Sequence, residues 1–312
     1  MIFNNFDILN GQKQYFKLLK KQETTGTKFK NKEEQFKKFY FPLAKLIYKR
    51  FKKKKRTILV GLGGGQGVGK TTMSEILKLI LNKVFLLETV TFSIDDFYKT
   101  FSERKKMSKN ISKLFLTRGV PGTHDIIMLR KIIKSLKKKK FERVEVPKFD
   151  KSSDDRFPKN KWTKVIKKPN IIIFEGWCVG AKNQKLNSLK KPINELERKE
   201  DKDLSWRKKV NYELYTNYKR IFKLIDIFIF LKVPSFKFVY KWRLLQEKKL
   251  RKISKGKRIM NNLQVKRFIM FYERITKHML RTMRLTSDII INIDTKHRLK
   301  SIKLNEKYIN NY

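Results

Sequence analysis

Cysteine is almost missing from this 312-residue chain: Cys178 stands alone, which excludes an intrachain disulfide. A reducing, cytoplasmic setting is the expectation that goes with it. Long apolar runs are missing too. The strongest candidate, Ile221 to Leu231, is broken by Lys223 and Asp226, well short of the roughly 20 apolar residues a membrane-spanning helix needs. The first residues show no basic-then-apolar leader pattern. Acidic residues are scarce: 28 Asp and Glu stand against 78 Lys and Arg, a formal net charge of +50. Such an imbalance prompts a nucleic-acid hypothesis. The lysines, however, are spread over the whole length and accompany many Ile, Asn and Phe residues, all served by A/T-rich codons. Compositional bias on solvated faces is the plainer reading, and no arginine-rich, aromatic-interleaved module is evident. No specific nucleic-acid partner and no membrane are therefore expected, although the field would attract small anions.

Glycine is sparse overall, with 13 in the chain, yet it is dense in one place. Residues 57 to 72 read TILVGLGGGQGVGKTT, an apolar β-branched run, a glycine-rich turn and then a helical pattern with Ile76, Leu77, Ile80 and Leu81. Gly64 to Thr71 spells GxxxxGK[ST] in the strand–loop–helix setting that a phosphate-binding loop requires. Glycines let backbone N–H groups curl around a phosphate, and the helix that follows presents unpaired donors and a positive dipole end. Gly64, Gly65, Gln66, Gly67, Val68, Gly69, Lys70, Thr71 and Thr72 are the candidate nucleotide-binding residues. Lys70 has the reach to meet the β- and γ-phosphates, and the Thr71 hydroxyl is a candidate Mg²⁺ ligand. A glycine-rich hairpin is the bland alternative.

Around this stretch, strand and helix patterns alternate. Phe85 to Ile94, Val144 to Val146, Asn170 to Phe174, Asp226 to Leu231 and Ser287 to Ile293 read as strands. Helical spacing marks Asn31 to Phe51, which Pro42 should kink, and also Ile126 to Leu136, Tyr212 to Leu224, Phe236 to Lys252 and Asn261 to Leu280. Residues 99 to 124 read as a polar, irregular span. The expected fold is α/β, a mostly parallel sheet with helices on both faces and a helical lid. The expected layout is one domain over 31–303, an ill-defined segment over 1–30, a charged surface insertion at about 182–209, a lid at about 236–256 and a tail at 304–312.

Such sheets bind ligands beyond the carboxyl ends of their strands. Asp95 and Glu175 close two predicted strands there, as the phosphate loop closes a third. Asp95 is the candidate for the carboxylate that accepts a hydroxyl proton, and its alternative is a helix cap. Glu175, with Thr71 and Asp95, forms the candidate metal set; a plain strand-end acid is the alternative. Arg118, His124, Lys148, Lys151 and Arg156 fall in loops on the same side and suit an anionic acceptor, or are solvated cations in a basic chain. His124 could equally be a structural hydrogen-bonding residue. Arg243 and Arg251 lie on the charged helix, where a closing lid could bring guanidinium groups onto the transferring phosphate.

Seven stretches then occur in order: GGGQGVGKTT, SIDDFY (93–98), RGVPGTHD (118–125), PKFDKSSDDR (147–156), FEGWCVG (174–180), KWRLLQE (241–247) and FYERITKHML (271–280). Together they resemble the P-loop kinases of the D-glycerate 3-kinase type, which are similar in turn to uridine kinase, phosphoribulokinase and bacterial pantothenate kinase. The resemblance covers roughly residues 35 to 300. It implies ATP and Mg²⁺ as cofactors, Asp95 as base, Glu175 as a magnesium-holding acid and a lid role around Arg243. It also implies transfer of phosphate from ATP to D-glycerate. Another hydroxy acid, a nucleoside or pantothenate is the alternative acceptor, and a nucleic-acid-binding ATPase the alternative class. Where some relatives read Gly-Asp-Arg after the FDKS motif, this chain reads Asp154-Asp155-Arg156, preceded by Ser153.

Overall fold

The computed structural model describes residues 5–23, 28–253 and 260–306, the side chains of 5–7 and 249–253 excepted. The strands, in chain order, are β1 (Ile58–Gly64), β2 (Thr89–Ser93), β3 (Val144–Val146), β4 (Phe149–Asp150), β5 (Asp155–Arg156), β6 (Thr163–Val165), β7 (Ile171–Gly176), β8 (Ile227–Lys232), β9 (Ile289–Ile293) and β10 (Leu299–Leu304). Six of them form the central sheet in the order β10-β9-β8-β1-β7-β2. Every pairing is parallel except that of β10 with β9. The remaining strands make two small antiparallel pairs, β3 with β6 and β4 with β5.

Strands β1 and β7 are buried at every residue, which is why they read as unbroken apolar runs rather than alternating ones. Successive side chains enter opposite layers. Ile171 and Ile173 face Ile76, Leu77 and Ile80 of the helix Lys70–Lys83. Ile172 and Phe174 join Leu129 and Ile133 of the helix Ile126–Leu136 on the other side. Each such fully buried aliphatic side chain contributes about 1.5–3 kcal/mol. The sheet is thus clamped from both faces, and the carboxyl ends of β1, β7 and β2 are held at one edge. Among the described residues no helix is long and apolar enough to cross a membrane.

The structure differs from the sequence reading in several places. The N-terminal segment contains a helix, Asn5–Gln22, that buries Tyr15 and Leu19; residues 1–4 and 24–27 lie outside the described residues. The span after Lys99 contains the helix Phe101–Asn110, started by a reciprocal Thr100/Glu103 cap. The disturbance expected at Pro42 is one wide turn, Phe36–Tyr40, after which Pro42 sits in the first turn of Phe41–Lys54, where its missing N–H is harmless. Strand β10 follows the strand expected to be last, and it carries ordered structure to Leu304, into the expected tail. Residues 307–312 of that tail, 254–256 of the expected lid and the Arg251 side chain lie outside the described residues.

The charged span 182–209 is not simply a surface insertion. Glu197, Asp201 and Arg207 are buried, together with Arg274 of the long helix Asn262–Thr282. Arg207 Nε lies 2.7 Å from Asp201 Oδ2, and Arg274 Nε 2.7 Å from Glu197 Oε1. Charge alone suggested solvent, but two guanidinium forks matched to two carboxylates can be taken out of water together.

Candidate active site

The phosphate loop follows β1 directly. Gly67 and Gly69 take positive φ values of 75° and 93°, in the left-handed region that favours glycine. A Cβ at Gly69 would meet nothing within 4 Å, so this part of the cup is open. At Gly67 the neighbour is Trp242, and at Gly65 it is Val239, both buried residues of the helix Phe236–Ile253. The first half of the expected lid is therefore the wall of the loop. Gln66 lies in the cup with both polar amide atoms buried and unpaired among the described residues. Val68 is buried, and Thr72 is half-buried on the first turn of the following helix.

Lys70 donates to Gly65 O at 3.0 Å, folding back onto its own loop. Burial pushes its ammonium below the usual lysine range, against the pull of Glu175 and Asp95. Thr71 Oγ1 donates to Glu175 Oε1 at 3.1 Å. Burial raises the Glu175 carboxyl above its ordinary value, with Lys70 opposing. Ser93 and Glu175 are register partners across β2 and β7, and Leu62 of β1 faces Glu175 from the other side. Three strand ends therefore do meet.

Asp95 follows β2 in a short 3-10 turn, Ile94–Phe97, capped by Ser93. Lys151 Nζ donates to Asp95 Oδ2 at 2.8 Å, and Tyr98 donates its hydroxyl to Oδ1 at 2.9 Å. Burial works to raise this carboxyl, but the Lys151 charge and hydrogen bond prevail and hold it down at about 2. Neighbouring Asp96 makes no ion pair among the described residues: burial, with the Asp95 and Glu175 charges, pushes it up to about 6 despite a hydrogen bond from Ser93 N and the Lys151 charge.

The remaining candidate cations are less free than their loop positions suggest. Arg118 is paired with Asp154 and lies over the Phe149 ring, 5.5 Å from its centroid. Arg156 donates to Tyr98 O at 3.0 Å and lies 3.6 Å from Asp125. Arg243 is paired with Glu247 one turn along its own helix. Lys148 is exposed, and no ion pair of its ammonium occurs among the described residues. His124 is buried, stacked on Tyr98, with Nδ1 2.5 Å from the Tyr218 hydroxyl. Burial drives its ring down to about 3, so it is neutral and structural in position.

Sequence reasoning passed over Tyr98 and Arg104, and noted Asp154 only as a departure from the family pattern. Tyr98 was visible in SIDDFY, since a 3-10 turn eclipses positions three apart and brings its ring back over Asp95. Asp154 was visible only as the residue standing where some relatives have glycine; its partners were not. It adopts φ 62°, the conformation that favours glycine, and its backbone oxygen accepts from Arg104 Nη2 at 2.6 Å. Arg104 is fully buried and also reaches Leu116 O at 2.6 Å. The glycine-like bend thus persists with an aspartate in place, anchored by two arginines.

Known proteins resemble this chain in sequence and in fold. The model of the phosphoribulokinase / uridine kinase family matches residues 59–212. The uncharacterized kinase mug58 of Schizosaccharomyces pombe is 33% identical over 240 residues, which span 74% of this chain and 83% of that protein. The chloroplastic D-glycerate 3-kinase of Arabidopsis thaliana is 29% identical over 234 residues, spanning 72% of this chain and 48% of the plant enzyme. Among solved structures, the D-glycerate 3-kinase from Cryptococcus neoformans superposes with a TM-score of 0.72 at 23% identity, over 85% of this chain and 99% of that one, a likeness of fold. With its phosphate loop, strand-end acids and parallel sheet, this chain belongs to the phosphoribulokinase / uridine kinase family and is an ATP-dependent phosphotransferase.

Proposed function

We propose that this kinase phosphorylates D-glycerate at a hydroxyl, giving 3-phosphoglycerate and ADP. The observation that carries the acceptor reading is the Lys151 ammonium, 2.8 Å from the carboxylate best placed to take a hydroxyl proton. A cation beside the base suits an acceptor that carries its own negative charge. The name of the plant relative points the same way.

In this reading the cup from Gly64 to Thr72 cradles the triphosphate, and Lys70 leaves Gly65 O for the phosphate oxygens. Thr71 and Glu175 are the proposed Mg²⁺ holders. The pair fits a hard divalent ion: both donors are oxygens, and burial penalises the Glu175 charge that a cation would compensate. Among the described residues no cluster of three or more His, Cys, Asp or Glu could hold a metal alone. Bound there, Mg²⁺ supplies charge neutralisation on the phosphates. Asp95, oriented by Tyr98, accepts the hydroxyl proton. Lys151 and Lys148 attract the acceptor's carboxylate, while Arg118 and Arg156 hold the loop that carries them. The helix Phe236–Ile253 serves as the lid segment, and Arg243 must exchange Glu247 for phosphate as it closes. A cytoplasmic site of action, consistent with one buried free cysteine, completes the reading.

A coupled assay of ADP release over D-glycerate, L-glycerate, uridine and pantothenate tests the proposal. D-glycerate should give the largest kcat/KM, with 3-phosphoglycerate as the product. Turnover with uridine or pantothenate alone rejects glycerate as the acceptor and leaves the kinase class intact.

A further inference from the structure

The Asp95–Lys151 pair joins a fixed partner to a movable one. Asp95 is fixed: Tyr98 holds Oδ1, and its backbone N–H donates to Ser93 Oγ at 3.2 Å. The Lys151 backbone is fixed as well. It sits in the turn between β4 and β5, where Asp150 Oδ1 accepts from Ser152 N at 2.8 Å, and its carbonyl accepts from Arg118 Nη2 at 3.4 Å. The Lys151 side chain is not. It remains 61% exposed, and its only ion pair among the described residues is the one with Asp95. Arg118, a neighbouring cation, is committed to Asp154.

We propose that Lys151 is a charge gate that makes phosphoryl transfer conditional on an anionic acceptor: its ammonium occupies Asp95 until the acceptor's carboxylate draws it away. This deepens the reading above and rests on Asp95 as the proton acceptor. Exchanging one carboxylate for another at a solvated ammonium changes little in energy, because exposed ion pairs are weak. The consequence for chemistry is large, since an unpaired carboxylate is the better base. Once released, Asp95 takes the acceptor's hydroxyl proton. The hydroxyl oxygen bonds to the γ-phosphorus while the bond from that phosphorus to the β,γ-bridging oxygen breaks, and ADP leaves. With water in place of the acceptor, the same step would yield ADP and inorganic phosphate. While Lys151 is in place, that hydrolysis is held back. The gate therefore selects carboxylate-bearing alcohols over neutral ones and spares ATP when no acceptor is bound.

The test is acceptor-free ADP release, followed in wild type, Lys151→Met, Lys151→Arg, Asp95→Asn and the Lys151→Met/Asp95→Asn double variant. Lys151 is exposed, so Lys151→Met should fold; matching thermal unfolding curves check it. Lys151→Met should release ADP about tenfold faster than wild type, corresponding to one factor of ten in barrier terms. Lys151→Arg, which keeps the charge, should show no such rise, and the double variant should lose it. In the same preparations Lys151→Met should lose turnover of D-glycerate and gain turnover of neutral D-glyceramide. Lys151→Met that releases ADP no faster than wild type, with glyceramide turnover unimproved, overturns the gate and leaves Lys151 a plain binding charge. Asp95→Asn that retains acceptor-dependent turnover overturns the base assignment beneath it, a separate and recognisable failure.

Discussion

Asp95 and Glu175 end neighbouring strands of one sheet, yet their surroundings push them in opposite directions. Glu175 is buried against a hydroxyl, and its carboxyl is raised. Asp95 is partly open, capped by a lysine and a tyrosine, and its carboxyl is held near 2. A phosphotransferase needs two different acids: one that welcomes a divalent ion and one that manages a proton. Environments that separate two carboxyl groups in this way mark a division of roles. Burial that Lys70 only partly offsets suits the metal side, and an exchangeable cation suits the proton side.

The comparison breaks most directly at Asp95. Asp95→Asn keeps the shape and the Tyr98 contact but removes the proton acceptor. A fall in kcat of about 10²- to 10⁴-fold is expected with ATP binding nearly unchanged. Measured by steady-state kinetics and nucleotide titration, the reverse pattern, weakened ATP with kcat largely intact, would move Asp95 to the metal side. Glu175→Gln should do what Asp95→Asn does not: raise the Mg²⁺ concentration needed for half-maximal rate by about 10- to 100-fold. An unchanged Mg²⁺ requirement would remove the contrast between the two acids.

Much of this contrast was legible before any coordinates, because it rests on local signals. The glycine spacing, the apolar strands ending in Glu175 and the SIDDFY turn each carry their meaning within a few residues. What stayed hidden depends on distant partners. Nothing near Glu197 in the chain announces that Arg274 will pair with it at 2.7 Å, so a charged span read as surface. The helix Asn5–Gln22 shows no clean apolar period because few of its side chains, Tyr15 and Leu19 among them, are buried. Thr100 and Glu103, in contrast, were a readable helix start that a polar neighbourhood obscured.

His124 sharpens the Asp95 side. A further positive charge there would blunt any exchange at Lys151, and burial keeps His124 from adding one by holding the ring neutral, with a pKa near 3 in place of the ordinary 6.5. The unfolded chain therefore binds a proton that the folded one does not once the pH drops below about 6.5. The stability is fully present above that point and is lost at about 1.4 kcal/mol per pH unit as the pH falls toward 3. His124→Gln lacks this slope. In urea unfolding its penalty relative to wild type should narrow by about 2 kcal/mol between pH 7 and pH 5. A penalty that stays constant would mean the ring is protonated in the fold.

The smallest effect asks how many cations the acceptor side can offer. Asp154→Gly relieves the left-handed backbone, worth about 1 kcal/mol, and removes the carboxylate shared by Arg104 and Arg118. Arg104 keeps its bonds to Lys99 O, Leu116 O and the residue-154 carbonyl, so its loss is partial, about 1–3 kcal/mol for a buried cation deprived of its counter-charge. The two terms oppose each other, leaving a net destabilisation of about 1 kcal/mol and a fall in Tm of about 1–2 °C. Arg118, meanwhile, is released toward the cleft. If Asp154 serves to keep that guanidinium away from the acceptor, Asp154→Gly binds D-glycerate more tightly while melting earlier. Stability and acceptor KM falling together would show that the aspartate narrows the choice of cation to Lys151; an unchanged KM would make it a loop anchor alone.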